Sequence, residues 1–174
     1  MGALQRMEIK TKDQYKTWGK SRSNRLPNYD YSKDRPVHVT VCTDNKENIF
    51  DSEINARIVI DELLKAVKDV RFRMLCYCLM PDHLHVIVSP GESTLALSKF
   101  LNIFKGRTTA AFRERKDLRR IWQRSAFDHV IRTEENLKEI VEYIRNNPVR
   151  KGIVENAGDF PYSESFDAEI RRYL

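Results

Sequence analysis

The stretch Met80-Pro81-Asp82-His83-Leu84-His85-Val86-Ile87-Val88 constrains the fold of this chain more than any other. Pro81-Asp82 is turn chemistry: Pro presets φ at the first central position, and Asp bonds its own backbone. A strand follows, on which residues i and i+2 share a face. His83, His85 and Ile87 therefore project one way, and Leu84, Val86 and Val88 the other, toward a core. Two imidazoles about 7 Å apart along a strand can converge on one divalent cation. Spacing alone leaves that role and a structural one both open.

The preceding run, Arg71–Met80, also reads as a strand and makes a hairpin with the histidine strand. A two-residue loop pairs Met80 with His83 and Cys78 with His85, and paired residues share a face. Cys76, Cys78, His83 and His85 then look the same way, so a zinc site is an alternative. Structural zinc sites draw thiolates from C-x₂₋₄-C knuckles, not from C-x-C on a strand.

Around this hairpin the periodicity predicts further elements. Val37–Thr43 is a strand with Val37, Val39 and Val41 on one face and His38, Thr40 and Cys42 on the other. A helix opens at Asp51 or Ser52 and runs to about Asp69, its stripe being Ile54, Ile58, Leu63, Leu64 and Val67. A second is capped by Ser93 or Thr94 and runs to about Lys116, burying Leu97, Phe100, Leu101, Phe104, Ala111 and Phe112. Phe127–Thr133, with His129, is a fourth strand. Thr133 caps a third helix that carries Glu134 and Glu135 in its first turn and ends at Pro148. Its stripe is Leu137, Ile140, Val141 and Ile144. Tyr143 lies on the flank, about 110° from the stripe's centre, and Asn147 follows one turn later on the same side. The order β-α-β-β-α-β-α is the split-βαβ pattern: an α+β, ferredoxin-like or RRM-like antiparallel sheet with an added helix.

With 174 residues one sizeable core is expected, formed by residues 37–174, with residues 1–36 as a basic arm. No apolar run is long enough to cross a bilayer, and the N-terminal residues lack an apolar signal core, so a cytoplasmic location without membrane partners is expected. The three cysteines, Cys42, Cys76 and Cys78, are odd in number and sit in strand-like runs, which predicts reduced thiols. Net charge is +6 but is unevenly placed: residues 1–36 carry net +5 and residues 99–124 net +7. Such clustering is the footprint of a nucleic-acid surface, although a solubilising face would look alike. Tyr29 and Tyr31 in the arm could stack on bases or staple the arm to the core.

Three segments together resemble the single-tyrosine HUH transposases. They are Tyr77-Cys78-Leu79-Met80-Pro81-Asp82-His83-Leu84-His85, Phe127-Asp128-His129-Val130-Ile131-Arg132, and Tyr143-Ile144-Arg145-Asn146-Asn147-Pro148-Val149-Arg150-Lys151-Gly152. Arg25-Leu26-Pro27-Asn28-Tyr29-Asp30-Tyr31 is similar to the REP-associated tyrosine transposase branch. The resemblance implies an HUH motif on a central strand and a catalytic tyrosine on the following C-terminal helix. It implies Mg²⁺ or Mn²⁺ held by His83, His85 and Asn147, with Tyr143 as nucleophile and His129 in a supporting or structural role. It further implies nicking and joining of single-stranded DNA beside a hairpin through a 5′-phosphotyrosine, by a monomer or homodimer in a prokaryotic, nucleoid-associated setting. Arg25, Lys99, Lys105, Arg107 and Arg113 are the expected DNA contacts. A non-catalytic single-stranded nucleic-acid-binding module on the same sheet is the alternative.

Overall fold

The computed structural model describes residues 34–117, 119–131 and 133–174. Arg25, Tyr29, Tyr31 and nearly all of the expected arm lie outside them. The described chain runs β1 (Val37–Cys42), α1 (Glu53–Val70), β2 (Arg73–Met80), β3 (His83–Ser89), α2 (Leu97–Glu114), β4 (Phe127–Val130), α3 (Glu134–Arg145), α4 (Asn147–Arg150), β5 (Ser163–Ser165) and α5 (Asp167–Ile170). The strands form one antiparallel sheet in the order β4-β1-β3-β2-β5, with the histidine strand in the middle. This is the expected ferredoxin-like sheet with a fifth strand added.

The alternation along β1 and β3 assigns the two faces. Val37, Val39, Val41, Leu84, Val86 and Val88 point to one side and meet α1 and α2 in the main core. There Phe100, Phe104 and Phe112 of α2 and Leu63 of α1 are fully enclosed. Truncating one such Phe to Ala costs about 3–5 kcal/mol. On α1 the buried face is Ala56, Val59, Leu63, Ala66, Val67 and Val70, whereas Ile54 and Leu64 are 53% and 39% exposed. The expected stripe was therefore partly rotated. The observed set steps by three and four residues along the whole helix, and small Ala side chains let α1 lie close to its neighbours. α2 starts three residues beyond Thr94, since Ser93 Oγ accepts from Leu95 N–H in a turn that precedes the helix.

On the opposite face α3 packs through Leu137, Val141 and Ile144 onto Leu75, Cys76, Cys78, Met80 and Ile87. Thr133 caps α3 as expected, its Oγ1 accepting from Asn136 N–H at 3.2 Å. Pro148 does not end the helix there. The break falls at Asn146, and Pro148 sits in the opening turn of α4, where a missing N–H costs nothing. β5 was not expected, because Ser-Glu-Ser has no strand pattern of its own. It is held on the β2 edge by backbone bonds, Leu79 N–H to Tyr162 O (2.8 Å) and Phe166 N–H to Leu75 O (2.8 Å). No described helix is long and apolar enough to cross a membrane.

At the end of the sheet away from His83, the Asp34 carboxylate gathers four donors. Oδ1 accepts from Ser89 Oγ (2.5 Å), Gly91 N (3.1 Å) and Tyr173 Oη (2.6 Å), and Oδ2 from Arg73 Nη1 (2.6 Å). Gly91 takes φ +60°, and a Cβ there would press on Arg73 at 3.3 Å. Burial pushes the Asp34 carboxyl up, but the bonds from Ser89 and Tyr173 and the Arg73 charge together hold it below its ordinary value.

Candidate active site

The β2–β3 turn has the expected two residues, so Met80 pairs with His83 and Cys78 with His85. Its tip is anchored from outside. Thr43 donates through N–H and Oγ1 to Asp82 O (both 2.9 Å), and Phe50 N–H bonds Pro81 O (3.0 Å). This fixes Asp82, whose Oδ1 accepts from His83 Nδ1 at 2.5 Å. A proton held on Nδ1 leaves Nε2 of His83 with its lone pair outward.

His83 Nε2 and His85 Nε2 lie 3.1 Å apart, with the rings edge to face and centroids 4.6 Å apart. Two adjacent ligands about 2.1 Å from an octahedral cation are about 3.0 Å apart, so the pair matches one edge of such a shell. Burial first, then the nearby charges of His38, His83 and Arg150, hold the His85 pKa well below its ordinary value. His85 is thus the neutral ligand form at neutral pH. The residues present fit a divalent cation.

Tyr143 on α3 stands over this pair. Its ring meets His85 edge to face at 5.9 Å between centroids, within one chain. Arg150 of α4 lies over the tyrosine ring, its Cζ 4.6 Å from the ring centroid. Arg150 is the functional candidate that periodicity missed. It follows Tyr143 by seven residues, two helical turns, and that spacing across a proline was the available signal. Asn147 is buried, 4% exposed, at the start of α4. It forms no hydrogen bond to either imidazole, so the structure brings together His83, His85 and Tyr143 directly and Asn147 only by proximity in the chain.

All four histidines of the chain share this face. His38 on β1 is two residues from Thr40, the cross-strand partner of His85, and His129 on β4 pairs with His38. Burial, and secondly the charge of His129, push His38 down to about 4.

Cys76 and Cys78 lie on the expected face, but they belong to the apolar layer under α3. Burial, with the Cys78 charge second at Cys76, pushes each thiol up to about 12, and Cys78 Sγ donates to Met80 Sδ at 3.6 Å. Metal ligation needs thiolates. Among the described residues no group of three or more His, Cys, Asp and Glu side chains is placed to hold a metal ion. The structure gives the zinc alternative no support.

The expected DNA contacts on α2 lie across the sheet from the histidines, since α2 packs on the main-core face. Lys99 and Arg113 are exposed. Lys105 is turned inward, and its Nζ donates to the carbonyls of Gln123 (2.9 Å), Arg124 (3.3 Å) and Ser125 (3.2 Å). Burial pushes its ammonium down to about 8. Arg107 Nη2 bonds Asp69 Oδ2 of α1 at 2.5 Å.

A family model described as transposase IS200 like matches residues 32–147. An uncharacterised protein of Haemophilus influenzae is 28% identical over 158 residues, covering 74% of this chain and 88% of that protein. The REP-associated tyrosine transposase of Escherichia coli K12 is 30% identical over 112 residues, 64% of this chain and 65% of the relative. A solved structure of a REP-associated tyrosine transposase bound to a REP hairpin shares the fold, with TM-score 0.69 and 24% identity over 84% of this chain and 86% of the other. The family match spans well over half of the sequence, and the chain belongs to the IS200-like transposases, HUH-type tyrosine transposases that process DNA.

Proposed function

We propose that the protein nicks and rejoins single-stranded DNA beside a hairpin, with Mg²⁺ or Mn²⁺ held by His83, His85 and Asn147 and with Tyr143 as nucleophile. The observation that carries this reading is the pair of Nε2 atoms 3.1 Å apart, with the Tyr143 ring 5.9 Å from His85. The likeness to a transposase bound to a REP hairpin supports the choice of DNA.

A cation held by His83 and His85 would supply Lewis-acid polarisation of the scissile phosphate and screening of its charge. Tyr143 Oη forms the bond to phosphorus, and the P–O3′ bond breaks. The tyrosine proton is given up, and the departing oxygen takes a proton to become a 3′-hydroxyl. The 5′ end stays on Tyr143 as a phosphodiester, so rejoining needs only attack by a 3′-hydroxyl, without a nucleotide cofactor. Arg150, over the tyrosine ring, brings a positive charge beside the nucleophile, where it can pair with a phosphate. Asp82 orients His83 for its task.

The test is an oligonucleotide labelled at either end, incubated with Mn²⁺ and run on a denaturing protein gel. Wild type should retain only the label downstream of the cut, and digestion should place the adduct on the peptide with Tyr143. Tyr143→Phe should bind DNA and Mn²⁺ but give neither adduct nor nick. Undiminished nicking by Tyr143→Phe, or an adduct on another tyrosine, would refute the mechanism.

A further inference from the structure

The partner of His83 is a carboxylate, but the partner of His85 is of a different kind. Thr40 lies directly across from His85 in the β1–β3 register, and His38 lies two residues earlier on the same face. His85 Nδ1 is 3.0 Å from Thr40 Oγ1 and 3.1 Å from His38 Nε2, the two rings being tilted at 39° with centroids 5.2 Å apart. Two ring nitrogens this close share a single proton between them. If the proton is on His85 Nδ1, His38 Nε2 accepts it, and His85 presents a bare Nε2 to the edge shared with His83, where two lone pairs 3.1 Å apart call for a cation between them. If it is on His38 Nε2, neutral His85 must carry its own proton on Nε2, and that edge is closed to a cation. The choice made at His38 therefore decides whether His85 can be a ligand.

We propose that His38, together with Thr40, is a positioning residue that accepts the Nδ1–H of His85 and so supports the tautomer whose Nε2 takes a divalent cation. The inference rests on the reading of His83 and His85 as the metal pair. Metal-ligating histidines nearly always give their other N–H to an acceptor, and that acceptor fixes both tautomer and ring orientation. Here the two ligands are backed unequally. Asp82 lends His83 a carboxylate, whereas His85 leans on an imidazole and a hydroxyl that carry no charge. His38 itself is kept in register by β4, where His129 is its paired residue.

The test needs a readout that does not depend on turnover. In ¹⁵N-histidine-labelled protein loaded with Mg²⁺, which is diamagnetic, long-range ¹H–¹⁵N spectra at neutral pH should show His85 protonated on Nδ1. The double variant His38→Ala/Thr40→Val should move His85 toward the Nε2–H form and weaken Mn²⁺ binding, read by calorimetry, on the order of tenfold to hundredfold. His38→Gln, whose amide oxygen can accept the same proton, should recover most of the affinity, which a merely structural role would not produce. Thr40→Val alone supplies a milder variant should the double variant fail to fold. His85 protonated on Nε2 in the Mg²⁺-loaded wild type, or full Mn²⁺ affinity in both the double variant and Thr40→Val, would overturn the proposal. His83→Ala is measured alongside. If it binds Mn²⁺ as wild type does, the metal reading itself fails; if it loses binding while the His38 and Thr40 variants keep it, the metal reading stands and only the positioning role falls.

Discussion

Lys105 should be silent in the salt dependence of DNA binding, although it sits in the most basic segment of the chain. Its Nζ is committed to three carbonyls of the segment that leads into β4. The bond to Gln123 is partly buried, and a charge-assisted bond in such a place is worth about 1.5–3 kcal/mol. A single phosphate contact at the surface returns no more than an exposed ion pair, about 0–1 kcal/mol. The intramolecular bonds win, and Lys105 stays where it is. Stability should also change little in Lys105→Met. Removing the charge relieves the desolvation that lowers its pKa to about 8, which the lost bonds largely offset, so a net change within about 2 kcal/mol is expected. The assay is fluorescence anisotropy of a labelled single strand between about 50 and 200 mM salt. Each phosphate contact contributes about 0.7 to the slope of log K against log salt, or about 2.6-fold over that range. Lys105→Met should keep the wild-type slope, whereas Lys99→Gln and Arg113→Gln remove exposed charges and are the changes able to flatten it. A loss of about 0.7 in slope for folded Lys105→Met would show that the side chain leaves its carbonyls for DNA, and the reasoning would be wrong.

Asp34→Asn should lower stability by about 1–2 kcal/mol at pH 7, through the lost charge toward Arg73 and weaker acceptance from Ser89 and Tyr173. Because the folded carboxyl titrates below the ordinary 3.8, its contribution is full above that pH and disappears as pH falls through the folded value; urea melts of both forms should therefore converge in strong acid. Asn147→Ala should weaken Mn²⁺ affinity measured by calorimetry while His129→Ala leaves it near wild type; the reverse ranking would mean that the third ligand comes from β4. Arg150→Ala should cost only about 0.5–1 kcal/mol in thermal melts but slow nicking on the order of hundredfold, since the guanidinium lies against Tyr143. Equal nicking rates would leave Arg150 a packing residue.

The hairpin was legible because two independent codes agreed. Pro-Asp fixed a two-residue turn, and period-two alternation fixed which side His83 and His85 take. The faces of β1 followed from the same alternation, but its register against β3 did not, and so Thr40 and His38 came without any tie to His85. Register between distant strands depends on how the whole sheet packs, which no local pattern carries. β5 was invisible for a related reason: Ser163–Ser165 is a strand only because β2 offers an open edge and Tyr162 and Phe166 anchor its ends. α1 was placed well but turned wrongly, since Ile54 and Leu64 outweighed Ala56 and Ala66 in apolarity while close packing chose the small residues. Lys105 shows the same limit in electrostatics. Charge density along the sequence marks a basic segment, but whether an ammonium faces solvent or a loop carbonyl is decided by the fold.

The Asp34 cluster has a mechanical meaning. It couples Asp34, three residues before β1, to Ser89 at the end of β3, to Arg73 at the start of β2 and to Tyr173 after α5. A pull applied to residues before β1 and a pull applied after α5 load the same four bonds, so neither end of the fold can peel away alone. His83 opens β3, six residues before Ser89 and about 20 Å from this junction. Load arriving through the residues before β1 would thus be taken up at the far end of the sheet before it reaches the imidazole pair.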